Sequence, residues 1–273
     1  MNCVGWALPI AMNVQAVRHP WLGVSLALPT LMFCSLMATL RANPLTRFLD
    51  GAMRLLRPVA DSTFDTRSSL AGRGPRLRTL AAYIFIGGFL YGAVMGAFGG
   101  FAGQRLLQVL FSALKVPLLI LASFALTLPS FFVLNTLLGL RHDFALALRA
   151  LLAGQAALAI VLAALSPYTA WWYLSSSKYQ SATLFNGVMF AIACFAAQWP
   201  LRRRYQPLID RDPRHRKMLI AWLVLYIFVA IQMAWILRPF IGDPAQDTTF
   251  FREETWGNAS LIVGKLILNA LGW

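Results

Sequence analysis

The sequence predicts an all-α protein, a polytopic transmembrane helix bundle of about six spans with amphipathic helices lying in the interface. Two observations carry this. The 273 residues are 59% apolar and only 12% charged, with a mean hydropathy of +0.63, whereas a soluble domain has roughly 25% charged residues. Uncharged apolar runs near the roughly 20 residues that cross a bilayer recur along the chain, separated by arginine-rich connections. Residues 1–273 therefore read as one integral membrane domain.

Residues 1–17 are uncharged but short, and Pro9 interrupts them. They suit the interface better than a span, and lacking a basic region and cleavage site they are expected to be retained. The first expected span is 21–40. Eight arginines follow in loop 41–79, where 44–57 predicts an amphipathic helix. Leu45, Leu49, Met53 and Leu56 fall on one face, with Arg47, Arg54 and Arg57 around the other. Such a helix lies apolar face down on an anionic leaflet; the alternative is a partner's surface.

The second span, 81–103, repeats Gly88, Gly92, Gly96 and Gly100 every four residues. That spacing bares one helix face, so another backbone can approach closely. The expected neighbour is a helix of the same chain, and the alternative is a homo-oligomer seam. Residues 104–115 are amphipathic and expected in the interface. The third span, 116–140, has Pro129 near its centre, which removes a backbone donor and displaces the carbonyl of Ala125. Thr127, Pro129, Ser130 and Asn135 then mark either a polar path at a helix break or a packing kink.

The fourth span, 150–170, contains Gln155 and ends at Trp171, Trp172 and Tyr173, an aromatic anchor of headgroup depth. The fifth, 181–199, contains Asn186 and Gln198, and residues 201–217 then hold seven basic residues. The sixth is 218–237. Residues 259–273 fit an interfacial closing helix. With six spans, 17 of the 24 Lys and Arg fall on one side. The positive-inside rule makes that side cytoplasmic and puts both termini, with segment 238–258, outside. A bacterial inner membrane is the expected location.

Segment 238–258 concentrates four of the ten acidic residues, among them Asp243 and Glu253, in a chain of net charge +14. Pro239, Gly242 and Pro244 supply turn chemistry. Arg238 stands within reach of Asp243 and is expected to brace the turn that aims Phe250, Phe251 and Trp256 outward. With Arg252 and Glu253, these residues read either as a cap on the chain's own helices or as a docking surface for a second membrane protein.

No Asp, Glu, Lys or Arg falls inside the six expected spans, which argues against an ion-coupled carrier. His19, His142 and His215 sit at helix ends and are expected at the surface. No catalytic constellation, cofactor motif or metal-ligand spacing is visible, and three cysteines make no even framework. The positive-inside arrangement accounts for the basic charge without nucleic acid.

KVPLLILASFALTLPSFFVLNTLLGL (115–140) and WILRPFIGDP…FFREETWGN (235–258) resemble the paired hallmarks of uncharacterised bacterial multi-pass proteins with an LRPFIGxP-type closing motif. These are loosely similar to the Yip1-type membrane family. The arginine-rich loop and an added N-terminal span depart from a five-span arrangement. The resemblance implies a non-enzymatic role in assembly or trafficking and supplies no catalytic residues. The expected function is a structural, scaffold or assembly subunit, with a solute or lipid carrier at the Pro129 break as the alternative.

Overall fold

A computed structural model describes residues 44–56, 77–98, 100, 105–176, 178–242 and 250–251. Residues 21–40 and 259–273, expected to form a span and a closing helix, lie outside them. The described elements are all helical: α1 (Pro44–Leu56), α2 (Leu77–Gly96), α3 (Arg105–Leu137), a 3-10 turn (Arg141–Asp143), α4 (Phe144–Ser175), α5 (Tyr179–Arg211) and α6 (Arg214–Ile236). Five of these, α2 to α6, are long and apolar enough to cross a membrane.

The chain divides into two compact units, residues 1–54 and 55–273. α1 belongs almost wholly to the first. It forms where the pattern of leucines and arginines predicts it, and Leu49 and Met53 of its apolar stripe are exposed beside exposed Arg47 and Arg54.

In the second unit the connections are short, so successive helices run antiparallel. α2 packs along both α3 and α4, α4 also carries α5, and α6 returns against α3. Glycines set the α2 contacts. A Cβ added at Gly88 would stand 3.0 Å from Pro117 N, and one at Gly96 2.8 Å from Val109 Cα, both on α3. On the other flank, a Cβ at Gly87 would meet the Ala159 carbonyl of α4 at 2.6 Å. The ladder is therefore a seam within the chain. Gly100 is not part of it: it lies beyond the helix with φ +104°, and an added Cβ there would meet no described atom within 4 Å.

Several expected boundaries move. Residues 105–115 are not a separate interfacial helix but the first third of α3, which runs unbroken through Pro117 and Pro129 to Leu137. The basic stretch after 199 is helical as well, since α5 continues to Arg211. α3 closes with Gly139 at φ +75°, where Leu140 N–H donates to Asn135 O at 2.9 Å and Gly139 N–H to Thr136 O at 3.0 Å. This is the glycine-terminated cap that satisfies the last carbonyls of a helix.

At this end of the unit, Phe124 and Phe131 of α3, Leu151 of α4, Tyr205 of α5 and Trp222 of α6 form one buried cluster. The burial of α6 is confined to His215, Met218, Leu219 and Trp222 in its first half. His215 is fully buried rather than at the surface, 3.4 Å from an Asp143 carboxylate that also meets Arg211 at 3.4 Å.

Candidate functional site

The polar side chains inside this apolar unit define its site. Transfer of such groups out of water is costly unless they are hydrogen-bonded, so each buried one needs a partner. The start of α3 is amphipathic in the inverted sense. Gln108, Ser112 and Lys115 are buried, whereas Leu106, Leu107, Leu110 and Leu114 are exposed.

The three polar side chains hold the turn that follows α6. Lys115 Nζ donates to Pro239 O at 2.7 Å, Ser112 Oγ donates to Phe240 O, and Gln108 Nε2 reaches the same carbonyl at 3.4 Å. From α5, the Tyr179 hydroxyl donates to Ile241 O at 3.4 Å. Three successive carbonyls thus find donors on neighbouring helices, as buried backbone acceptors must. The Arg238–Pro239 peptide is cis. The Arg238 guanidinium lies over the Trp235 ring, 3.1 Å from its centroid.

Phe250 is aimed inward, contrary to the expectation that it faces out. Its ring meets Phe111 edge-on at 5.1 Å and carries the Lys115 ammonium 4.8 Å from its centroid. Phe251 packs on Phe250 at 4.7 Å and is 49% exposed, so it alone of the described aromatic pair offers an outward surface. Asp243, Arg252, Glu253 and Trp256 lie outside the described residues. Of these two neighbouring phenylalanines, Phe250 thus caps the chain's own helices and Phe251 is left exposed.

A second polar network stands on α2, α4 and α5. Tyr91 donates to Asn186 Oδ1 at 2.9 Å, and Asn186 Nδ2 donates to the Tyr173 hydroxyl at 2.7 Å and to Ala182 O at 2.8 Å. Tyr173 in turn donates to Met95 O at 3.2 Å. One asparagine therefore joins three helices. A third link is Tyr226 of α6, which donates to Gln155 Oε1 of α4 at 2.7 Å.

Sequence reading noticed Asn186 and Gln155 as amides in apolar runs but not their tyrosine partners. Lys115 is not singled out by the sequence, which puts it at the end of an interfacial helix over 104–115. The usable signal was the four-residue spacing of Gln108 and Ser112, followed by Lys115 three later, on one face of a helix otherwise lined with leucine.

The residues expected at the Pro129 break do not converge. Thr127 and Asn135 are buried while Pro129 and Ser130 are exposed. Thr127 Oγ1 donates back to Ser123 O at 3.1 Å and Phe124 O at 2.8 Å. It thereby occupies carbonyls of its own helix rather than opening toward a path. Asn135 has both side-chain amide atoms buried with no partner among the described residues.

Charge is distributed unevenly between the ends of the unit. Arg141, Arg149, Arg202, Arg203, Arg204, Arg211, Arg214, Arg216 and Lys217 gather where α3 and α5 end and α4 and α6 begin. The opposite end has Arg105, Lys115, Lys178 and Arg238. Among the described residues no group of three or more His, Cys, Asp or Glu could hold a metal ion. No protein family, curated protein or solved structure matches the chain.

Proposed function

We propose that the chain is a non-enzymatic integral membrane protein serving as a structural or assembly subunit of a membrane complex. The observation that carries this reading is how the interior polar groups are used. Lys115, Ser112 and Gln108 bind the turn after α6, Asn186 ties α2, α4 and α5, and Gln155 ties α4 to α6. Such an interior favours fixed helix positions over an opening pathway. The uneven basic charge supports a cytoplasmic placement for the Arg141–Lys217 end, by the positive-inside rule. A bacterial inner membrane and the Yip1-type resemblance fit the same reading.

Phe251 and the continuation to Trp256 then form the contact with a second membrane protein. Aromatic anchors commonly carry roughly 2 kcal/mol or more at such interfaces. A photo-crosslinking phenylalanine analogue at Phe251, irradiated in native membranes, should yield one discrete protein adduct. The same analogue at Phe195, 85% exposed on the apolar outer face of α5, should not give that adduct. Lipid adducts alone at both positions would refute the assembly role.

The runner-up, a solute carrier, draws on Asn135, whose amide lacks a partner among the described residues. In that case Asn135→Ala abolishes a flux without lowering stability.

A further inference from the structure

We propose that the groove at the α4–α5 hairpin binds one anionic phospholipid, with the phosphate at Lys178 and an acyl chain along the outer face of α5. The proposal rests on the membrane placement above. The groove is shallow and open along the helix surface, with a volume of about 720 Å³. Lys178 and Ser181 line one end and Leu184 and Val188 the other, with Trp172 and Phe185 between them; no lining residue is acidic. The two rings are stacked, 4.6 Å between centroids and 3° from parallel.

Polarity and depth run in step. From Lys178 to Trp199 is 21 residues of α5, about 32 Å at a helical rise, against a hydrocarbon core of about 30 Å. Trp199 carries the Arg203 guanidinium 5.1 Å from its ring centroid, the aromatic and basic pairing of an interface. Lys178 thereby falls at the depth of the opposite headgroups. Below it, Leu184, Val188, Ile192, Phe195 and Trp199 recur at helical spacing as an exposed stripe, the continuous apolar track that an acyl chain needs.

Lys178 is exposed, and among the described residues no carboxylate pairs with it. It immediately precedes the first residue of α5, where backbone N–H groups lack intrahelical partners and the helix dipole favours an anion. A soluble anion would have no use for the aliphatic track beneath. A zwitterionic lipid would use the track but bring no net charge to the lysine. An anionic phospholipid uses both.

The test is native mass spectrometry of the full chain in detergent, titrated with phosphatidylglycerol or with phosphatidylcholine of matched acyl chains. The wild-type chain should bind phosphatidylglycerol more tightly. Lys178→Ala should weaken that binding roughly fivefold, the contribution of one lysine near an anionic surface, and leave phosphatidylcholine unchanged. Lys217→Ala, at the opposite end of the unit, should change neither. Leu184→Gln with Val188→Gln should weaken both lipids. Equal losses for Lys178→Ala and Lys217→Ala would overturn the proposal, as would the absence of headgroup preference in a chain that resists carbonate extraction. Competition by inorganic phosphate would reassign the groove to a soluble anion. Carbonate extraction of the wild-type chain would overturn the membrane placement, and the lipid site with it.

Discussion

Substituting Gly92 by alanine tests whether α2 and α3 touch through their backbones. The added methyl carbon would stand 2.9 Å from Ala113 Cα and closer still to the Ser112 carbonyl oxygen. Carbon atoms prefer separations of about 3.5–4.0 Å, so the two helices must part by up to about 1 Å along their contact. Overpacking of this kind costs about 1–3 kcal/mol. It exceeds, or at worst cancels, the gain of up to about 1 kcal/mol from replacing glycine inside a helix. Gly187 isolates that gain: it lies within α5 with no described atom inside 4 Å of an added Cβ. The assay is reversible unfolding in mixed micelles as the fraction of denaturing detergent rises. Gly92→Ala should unfold earlier than the parent and Gly187→Ala at the same point or later. If Gly92→Ala is as stable as Gly187→Ala, the close approach of α2 to α3 is wrong.

Other variants probe the polar links. Asn186→Leu removes the acceptor of the Tyr91 hydroxyl and the donor to Tyr173, which keeps its bond to Met95 O, and a buried group left unpaired costs about 1–3 kcal/mol; Tyr91→Phe, which leaves the Asn186–Tyr173 bond in place, should cost less in the same unfolding assay. Lys115→Met removes the donor on Pro239 O and the cation against Phe250. A cysteine at position 250 should then react with maleimide several-fold faster than in the Lys115 background, and an unchanged rate would show that the other bonds hold the turn alone. In a background without native cysteines, Arg216→Cys should be labelled only from the cytoplasmic side and Ser176→Cys only from the other. Labelling of both from one side would refute the alternating helix order.

Where one physical signal dominated, the sequence was readable. The expected span at 181–199 lies wholly within one helix, α5, because its apolar run is uninterrupted, although the helix itself extends from Tyr179 to Arg211. The glycine ladder was legible because a missing side chain at Gly88, Gly92 and Gly96 leaves no other use for that face, whereas Gly100 matched the spacing only by continuing a count past the helix end. Boundaries failed where a helix outruns the hydrocarbon. α3 has 33 residues, about 50 Å against a core of about 30 Å, and α5 is as long. A search for apolar runs stops at the first charge, although the backbone continues its hydrogen bonds past it.

Lys115 shows why that distinction matters for the site. It lies 22 residues before the end of α3, about 33 Å, and so at one edge of the hydrocarbon if the helix end marks the other. A lysine at that depth ordinarily extends its ammonium to the headgroups. Here it is buried, with the ammonium on Pro239 O and the Phe250 ring. The extra length of α3 permits this, because the turns before Lys115 provide Gln108 and Ser112 as further donors to the same turn. Acidic and aromatic composition marked 238–258 as unusual, but composition carries no information about which residues face inward. That was decided by three polar side chains about 125 positions earlier in the chain, whose role is visible only once α6 returns against α3. The result is a turn fixed to the bundle at Pro239 and Phe240, sealed by Phe250, and exposed at Phe251.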